Sequence, residues 1–327
     1  MASFGAVDPH ALAGRLRAAV ASAVVGNDAA LELLLVALCC GGHALLEDVP
    51  GVGKTLLARS LAGALGCSFR RVQLTPDVLP SDVTGSNVYN QKTGEFEFRP
   101  GPIFTEILLA DEINRATPRT QSALLEAMEE HQVTVDGDTR ALSSPFFVLA
   151  TQNPVELEGT FPLPEAQLDR FCVRVRLGYP TREQEAAVLE RYEATDRVVP
   201  EAVTEPAELA AWQAARAGVH VAPAVRGYVL DLVAATRADP RLELGASPRA
   251  ALMLHRAAQA RALLAGRSFV LPDDVKALAI PVLAHRLIVS PATRLSGEDA
   301  ESVLAGLLGE VAVPVEALEE ATSPPVS

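Results

Sequence analysis

The chain is poor in lysine, aromatic residues and cysteine, and it has no long hydrophobic run. Lysine occurs only at Lys54, Lys92 and Lys276, and aromatic residues make up 5% of the 327 residues. No segment reaches the roughly 18 uncharged apolar residues that a membrane-spanning helix needs. The first residues, MASFGAVDPHALAGRLR, lack the basic and then apolar order of a secretory signal peptide. We therefore expect a cytoplasmic protein.

Cysteine spacing and net charge exclude further classes of function. The four cysteines, Cys39, Cys40, Cys67 and Cys172, show no C-x-x-C spacing, so we expect reduced, buried thiols. The formal net charge is −13, and no cluster of Lys and Arg is present. Because electrostatic binding of nucleic acid depends on such clusters, this composition disfavours a nucleic-acid partner.

Apolar runs alternate with helix-forming segments over the first two-thirds of the chain. The runs HALLE, FRRVQL, EILLAD, FFVLAT and CVRVRL are typical of short buried strands, and segments such as KTLLARSLAGAL separate several of them. This alternation is typical of a parallel sheet with crossover helices. We predict an α/β domain over residues 1–200.

Two interruptions of this alternation predict β-hairpins. GSNVYNQKTGEFEFRPG has a Lys-Thr-Gly turn between extended pieces, and QVTVDGDTRAL has the turn signal Asp136-Gly137 between alternating side chains. We place these insertions near residues 80–103 and 131–143. Insertions between core elements leave the sheet intact and project outward, as functional loops often do.

The C-terminal third has a different composition. Strand-like runs largely stop, and Ala, Leu, Arg and Glu dominate. This predicts an all-α second domain over residues 201–315. Residues 316–327, which end in ATSPPVS, have the composition of a disordered tail.

The stretch EDVPGVGKT, residues 47–55, is typical of a phosphate-binding loop with one departure from the usual pattern. Its glycines would let backbone N–H groups converge on phosphate oxygens, Lys54 would neutralise the β and γ phosphates, and the Thr55 hydroxyl would bind Mg²⁺. Asp48 stands where the first glycine is usual. Because Asp tolerates left-handed angles and can accept hydrogen bonds from nearby N–H groups, we expect Asp48 to make the first turn with its carboxylate away from the phosphates.

Two further strand ends would complete a nucleotide site at the same edge of the sheet. EILLADE ends in Asp111 and Glu112; Asp111 can hold a magnesium-bound water, and Glu112 can polarise an attacking water. FFVLAT leads to Asn153, which could orient that water. An asparagine in a turn before proline is also common without such a role.

Two arginines could reach a γ-phosphate from other segments. In GASPRAAL, Arg249 falls in the first turn of a helix, where a cation opposes the helix dipole unless an anion compensates. In PEAQLDRF, Arg170 offers a planar donor fork that could act on the nucleotide of a neighbouring subunit. A local ion pair between Asp169 and Arg170 is the alternative.

In this order, the motifs resemble those of the AAA+ ATPases, and specifically the MoxR family. EDVPGVGKT is similar to Walker A, ILLADE to Walker B, ATQNP to sensor 1, LDRF to the arginine-finger segment and SPRA to sensor 2. The resemblance implies an ATP- and Mg²⁺-dependent ring, commonly a hexamer, with an α/β P-loop core and a helical lid. It also implies chaperone-like remodelling, maturation or metal-cofactor insertion of a client protein, often with a von Willebrand factor A domain protein.

The resemblance assigns roles to individual residues. Glu112 would activate the attacking water, and Asn153 would sense the γ-phosphate. Arg249 would contact the γ-phosphate from the lid, and Arg170 would reach it from the adjacent protomer. Arg115, inside DEINRA, would also face a subunit boundary. Thr55 and Asp111 would hold Mg²⁺. The nucleotide itself would lie against Val24, Val25, Gly26, Pro50, Gly51, Val52, Gly53, Lys54, Thr55, Leu56 and Asp111.

Two alternative functions stay open. A DNA-acting motor is disfavoured because the first hairpin carries two basic against two acidic residues and the second one basic against two acidic residues. A scaffold that binds ATP without hydrolysing it is disfavoured because both Asp111 and Glu112 are present.

Overall fold

The computed structural model describes residues 8–154, 159–194 and 199–314. Five strands pair in parallel there, with the bounds β1 Ala44–Glu47, β2 Phe69–Gln73, β5 Ile107–Asp111, β8 Phe147–Gln152 and β9 Val173–Val175. Their order across the sheet is β2-β5-β8-β1-β9. These strands are the five apolar runs of the sequence, so the predicted α/β fold class is confirmed.

Both faces of the sheet are covered by helices, because the strands are apolar on both sides. Leu109 and Leu149 point into one hydrophobic cluster, whereas the next residues along the strands point into another. On the first face lie α1 Pro9–Ala23, α2 Asp28–Cys39 and α3 Lys54–Ala64. On the second face lie α4 Pro80–Thr84 and α5 Pro118–Glu130.

Both predicted hairpins are present and touch each other. Their strands are β3 Gly85–Asn90 with β4 Glu95–Pro100, and β6 Gln132–Val135 with β7 Asp138–Ala141. Asp136 and Gly137 have φ angles of 52° and 91°, and positive values at both central residues suit a two-residue hairpin turn. The Asn87 amide donates a hydrogen bond to the Asp136 carboxylate at 2.7 Å, which ties the first hairpin to the second.

The C-terminal part is mainly helical, and five consecutive helices begin with proline, whose fixed φ suits the first helical position. The helices are α6 Glu165–Leu168, α7 Arg182–Ala194, α8 Pro206–Ala217, α9 Pro223–Ala238, α10 Pro248–Leu264, α11 Pro272–Leu283, α12 Pro291–Leu295 and α13 Ala300–Glu310. The predicted all-α lid also contains a short antiparallel ribbon, β10 Leu242–Leu244 with β11 Ile288–Val289. The boundary at residue 200 stays a prediction, and the predicted disordered tail lies outside the described residues.

The helical part packs on the sheet domain through one hydrophobic cluster. Trp212, Tyr228 and Leu254 are buried together with Leu16 of α1 and Leu34 of α2. All four cysteines are free thiols, as expected, but only two of them are fully buried, Cys39 and Cys172. Within the described ranges, no helix combines the length and apolar character needed to cross a bilayer.

We predict that His43 makes the fold sensitive to acid. The ring is buried, its Nδ1 accepts a hydrogen bond from the Val148 N–H at 3.0 Å, and burial lowers the pKa of His43 from 6.5 to about 4. Since the unfolded chain binds the proton more readily, this stability is present above pH 6.5 and lost as pH falls toward 4. The loss reaches about 3 kcal/mol in the free energy of unfolding.

Urea denaturation between pH 7 and pH 4.5 would measure this dependence. We expect His43→Gln to show a shallower decline of stability with acid than the wild type. His220→Gln, which changes an exposed histidine, serves as the matched control and should keep the wild-type slope. Equal slopes for all three proteins would contradict the prediction.

Candidate active site

A cavity of about 720 Å³ lies at the sheet edge where β1, β5 and β8 end and α3 begins. It collects residues from these three loops, from the end of α1 and from α7. The cavity is lined by Ser22, Ala23, Val25, Pro50, Gly51, Gly53, Lys54, Thr55, Leu56, Arg71, Asp111, Glu112, Thr151, Asn153, Val188 and Arg191.

Most residues predicted to contact a nucleotide line this cavity, and three do not. Val24 is 7% exposed and packs into the hydrophobic core. Gly26 faces Gln184 of α7 so closely that a Cβ would lie 2.3 Å from its amide nitrogen. Val52 is absent from the lining, because the turn directs the neighbouring glycines toward the cavity instead.

The glycine loop presents backbone rather than side chains to the cavity. Gly51 and Gly53 have φ angles of 86° and 93°, which strain any other residue, and no atom lies within 4 Å of a Cβ placed there. Lys54 opens α3, and its ammonium donates to the Asp48 carbonyl oxygen at 2.6 Å. Burial lowers the pKa of Lys54, and the carboxylates of Asp48, Asp111 and Glu112 act in the opposite direction.

This arrangement fits a nucleoside triphosphate with Mg²⁺. The first turn of α3 has free N–H groups and the positive end of the helix dipole, which together attract phosphate. The Thr55 hydroxyl and the Asp111 carboxylate, both at the cavity wall, are the oxygen ligands that Mg²⁺ prefers.

Thr151 at the end of β8 joins the two acidic residues of β5. Its hydroxyl donates to Asp111 Oδ1 at 2.5 Å and accepts a hydrogen bond from the Glu112 N–H at 2.8 Å. Glu112 has a φ angle of 58°, in the left-handed region. For a residue other than glycine this conformation costs on the order of 1 to 3 kcal/mol, and it turns the side chain toward the cavity.

The end of β2 contributes two residues that sequence reasoning missed. Arg71 donates to Asp111 Oδ2 from Nε at 3.0 Å and from Nη2 at 2.6 Å. Gln73 donates to Glu112 Oε2 at 2.8 Å, and the same oxygen pairs with Arg115 at 3.2 Å. The signal was the pair of polar residues two positions apart, Arg71 and Gln73, because a strand beside β5 places every second side chain on the same face of the sheet.

Two helices close the other end of the cavity. Val188 and Arg191 of α7 face Ser22 and Ala23 at the end of α1, and Arg191 donates to the Ala21 carbonyl oxygen at 3.2 Å. Of the predicted nucleotide-binding residues 24–26, Val25 lines the cavity at this end. No motif in the sequence of α7 indicated that it reaches the cavity.

Asp48 does not make the turn as predicted, although its carboxylate avoids the cavity lining as expected. Its φ is not left-handed. Oδ2 accepts hydrogen bonds from the N–H groups of Leu177 and Gly178 at 2.6 and 2.8 Å, and Oδ1 accepts one from the Val49 N–H at 2.9 Å. The carboxylate therefore anchors the segment that leads into α7.

The two distant arginines lie together, outside the cavity. Arg170 Nε and Arg249 Nη1 each lie 2.9 Å from a carboxylate oxygen of Glu129 at the end of α5. The lid places Arg249 beside Arg170, and its contact with a γ-phosphate stays a prediction. Neither arginine lines the cavity.

The alternative of a local Asp169–Arg170 pair is wrong. Asp169 instead accepts a hydrogen bond from Nε of the buried Arg286 at 2.6 Å. Arg286 also donates to the Phe171 carbonyl oxygen at 2.6 Å. These contacts fix the segment that carries Arg170 against the lid.

Known proteins share these features. Residues 43–173 match the model of the ATPase family associated with various cellular activities (AAA), and residues 234–306 match that of the AAA lid domain. The chain is 49% identical to the uncharacterized protein YeaC of Bacillus subtilis, over 94% of this chain and 97% of that one. It is 41% identical to the chaperone MoxR1 of Mycobacterium tuberculosis, over 89% of this chain and 79% of that one. A crystal structure of a candidate ATPase from Cytophaga hutchinsonii has a TM-score of 0.88 and 38% identity, covering 94% of this chain and 96% of that one.

We predict that Asp48→Asn lowers the free energy of unfolding by about 2 kcal/mol, because an amide cannot accept all three hydrogen bonds. Nucleotide affinity should change by less than about tenfold, because the side chain does not line the cavity. Chemical denaturation and nucleotide titration would measure the two effects. Asp231→Asn, on an exposed helix face, is the matched control. Unchanged stability, or a gain in affinity well above tenfold, would contradict the anchoring role.

Proposed function

The chain belongs to the MoxR family of AAA+ ATPases, and from that premise we propose that it binds ATP with Mg²⁺ and hydrolyses it in the cavity at the sheet edge. The observation that carries the proposal is the convergence of Lys54, Thr55, Asp111, Glu112 and Asn153 on one cavity from three separate loops. Each of these side chains has the chemistry that phosphoryl transfer to water requires.

The residues divide the work of hydrolysis between them. The N–H groups of the glycine loop and the Lys54 ammonium bind phosphate oxygens. Thr55 and Asp111 would hold Mg²⁺, which when bound neutralises charge on the phosphates. Glu112 polarises the attacking water, and Asn153 orients it from the next loop. Glu112 Oε2 contacts Gln73 and Arg115 in the structure, so to polarise water Glu112 has to turn from these partners.

We further propose that Arg170 and Arg249 serve the nucleotide of a neighbouring subunit. Both guanidinium groups lie on Glu129, outside the cavity of their own chain. An arginine that stabilises phosphoryl charge in trans requires a ring in which each subunit completes the next site, and a hexamer is the common form in this family. Arg115 would lie near the same boundary.

The work of the ring is proposed to be chaperone-like. A relative at 41% identity is a chaperone, which supports remodelling or maturation of a client protein. Insertion of a metal cofactor and a cytoplasmic location are part of the proposal through the family resemblance. A von Willebrand factor A domain protein is a candidate partner. The two hairpins are joined by a hydrogen bond and carry no net basic charge, which favours a protein over a nucleic-acid client.

We predict that Glu112→Gln lowers the turnover number for ATP by about a hundredfold while nucleotide binding persists, because the amide cannot polarise water. Phosphate release and nucleotide titration would measure the two quantities. Glu298→Gln, at an exposed site, should leave both unchanged. Unchanged turnover in Glu112→Gln would remove its catalytic role and favour the ATP-binding scaffold. Turnover stimulated by DNA and by no protein would favour the DNA motor.

Mixing two inactive variants tests the action in trans. Arg170→Ala should lose turnover because its neighbour lacks the arginine, and Lys54→Ala because its own phosphate site is disrupted. In mixed rings, Lys54→Ala subunits supply Arg170 to intact sites, so part of the activity should return. We expect the same rescue for Arg249→Ala. Arg294→Ala, at an exposed site, is the control and should keep its turnover without mixing. No rescue at any mixing ratio would contradict action in trans.

A further inference from the structure

Arg71 contacts the carboxylate that is expected to face Mg²⁺. Two of its nitrogens donate to the same oxygen, Asp111 Oδ2, at 3.0 and 2.6 Å. The other oxygen, Oδ1, accepts the hydrogen bond from Thr151. Both oxygens of Asp111 therefore have partners within the chain, and one of the partners is a cation.

The side chain of Arg71 is positioned by its own strand. Its Nη2 donates to Gln73 Oε1 at 2.6 Å, and the two residues share one face of β2. The side chain is 47% exposed and lies at the cavity wall, so it can change partners without unpacking the core. An exposed ion pair of this kind contributes little to stability, which leaves the fold no strong need for it.

Arg71 also decides the balance of charge around the cavity. Among the residues that the structure describes, the ionisable side chains of the lining are three cations and two carboxylates, namely Lys54, Arg71, Arg191, Asp111 and Glu112. Without Arg71, this lining would have as many cations as carboxylates. Arg71 thus supplies the positive excess that faces a polyphosphate when no metal is present.

We propose that Arg71 takes the place of the metal cation in the nucleotide site when Mg²⁺ is absent. It then neutralises Asp111 and attracts phosphate, and it releases Asp111 when the metal binds. The inference rests on the proposed nucleotide site. It makes Arg71 a positioning residue that sets how strongly nucleotide binding depends on Mg²⁺. Because the guanidinium and the metal share one carboxylate, removal of Arg71 should weaken nucleotide binding without the metal but not with it.

The experiment measures the dissociation constant of a fluorescent ADP analogue in EDTA and in saturating Mg²⁺. In Arg71→Gln, binding in EDTA should weaken by about tenfold because a charge-assisted contact is lost. Binding in Mg²⁺ should be unchanged or tighter, because Asp111 no longer has to be released. The ratio of the dissociation constant in EDTA to that in Mg²⁺ should therefore rise by about tenfold. By linkage, the metal should bind the ADP complex more tightly by the same factor.

Two variants complete the test. Arg70→Gln changes the adjacent residue on the opposite face of β2, whose guanidinium contacts the Gly101 carbonyl, and should keep the wild-type ratio. Arg71→Lys keeps the charge and should recover most of the binding in EDTA. A merely structural role would weaken binding equally in both conditions, so an unchanged ratio in Arg71→Gln would overturn the proposal.

Two further outcomes are distinguishable. A variant Arg71→Gln that assembles poorly by light scattering but keeps the wild-type ratio would place Arg71 at a subunit contact and overturn the proposal. If the wild type bound the analogue in neither condition, the nucleotide site itself would be overturned together with the role of Arg71. If the wild type bound the analogue and every variant had the wild-type ratio of the two dissociation constants, only the role of Arg71 would be overturned.

Discussion

The register of three buried parallel strands is the constraint on which the cavity depends. Leu109 of β5 pairs with Leu149 of β8, and Leu149 pairs with Ala44 of β1, so the three strands end at one level. Their residues are buried on both faces, and a slip of one residue would exchange the two hydrophobic faces of a strand. This packing brings Thr151 within hydrogen-bonding distance of Asp111 and the Glu112 N–H. The polar edge is thus positioned by apolar contacts further back along the strands.

The sequence predicted those parts of the molecule that depend on local patterns. Each apolar run became a strand, the turn at Asp136-Gly137 formed its hairpin, and the glycine loop opened a helix at Lys54. These features follow from residues that are close in the chain. The loops reached one cavity because parallel strands place their carboxyl ends at the same edge.

The features that sequence reasoning missed depend on contacts between distant segments. Asp48 binds backbone N–H groups 129 and 130 residues away, and a turn residue cannot be distinguished from such an anchor by its neighbours alone. Arg71 lies 40 residues from Asp111, and the pairing of β2 with β5 joins them. Arg249 lies 120 residues from Glu129, and the placement of the lid decides which carboxylate it meets.

The hydrophobic cluster that joins the lid to the sheet domain limits how the subunit can move. Trp212, Tyr228 and Leu254 pack in the same hydrophobic cluster as Leu16 and Leu34. Opening this contact like a hinge would expose large apolar side chains to water, at roughly 25 cal/mol for each Å². Small sliding displacements between packed helices keep those side chains buried. Any domain motion within this subunit would therefore be a sliding of the helical part along α1 and α2, made of many small side-chain adjustments. A hinged opening of the helical part would be too costly.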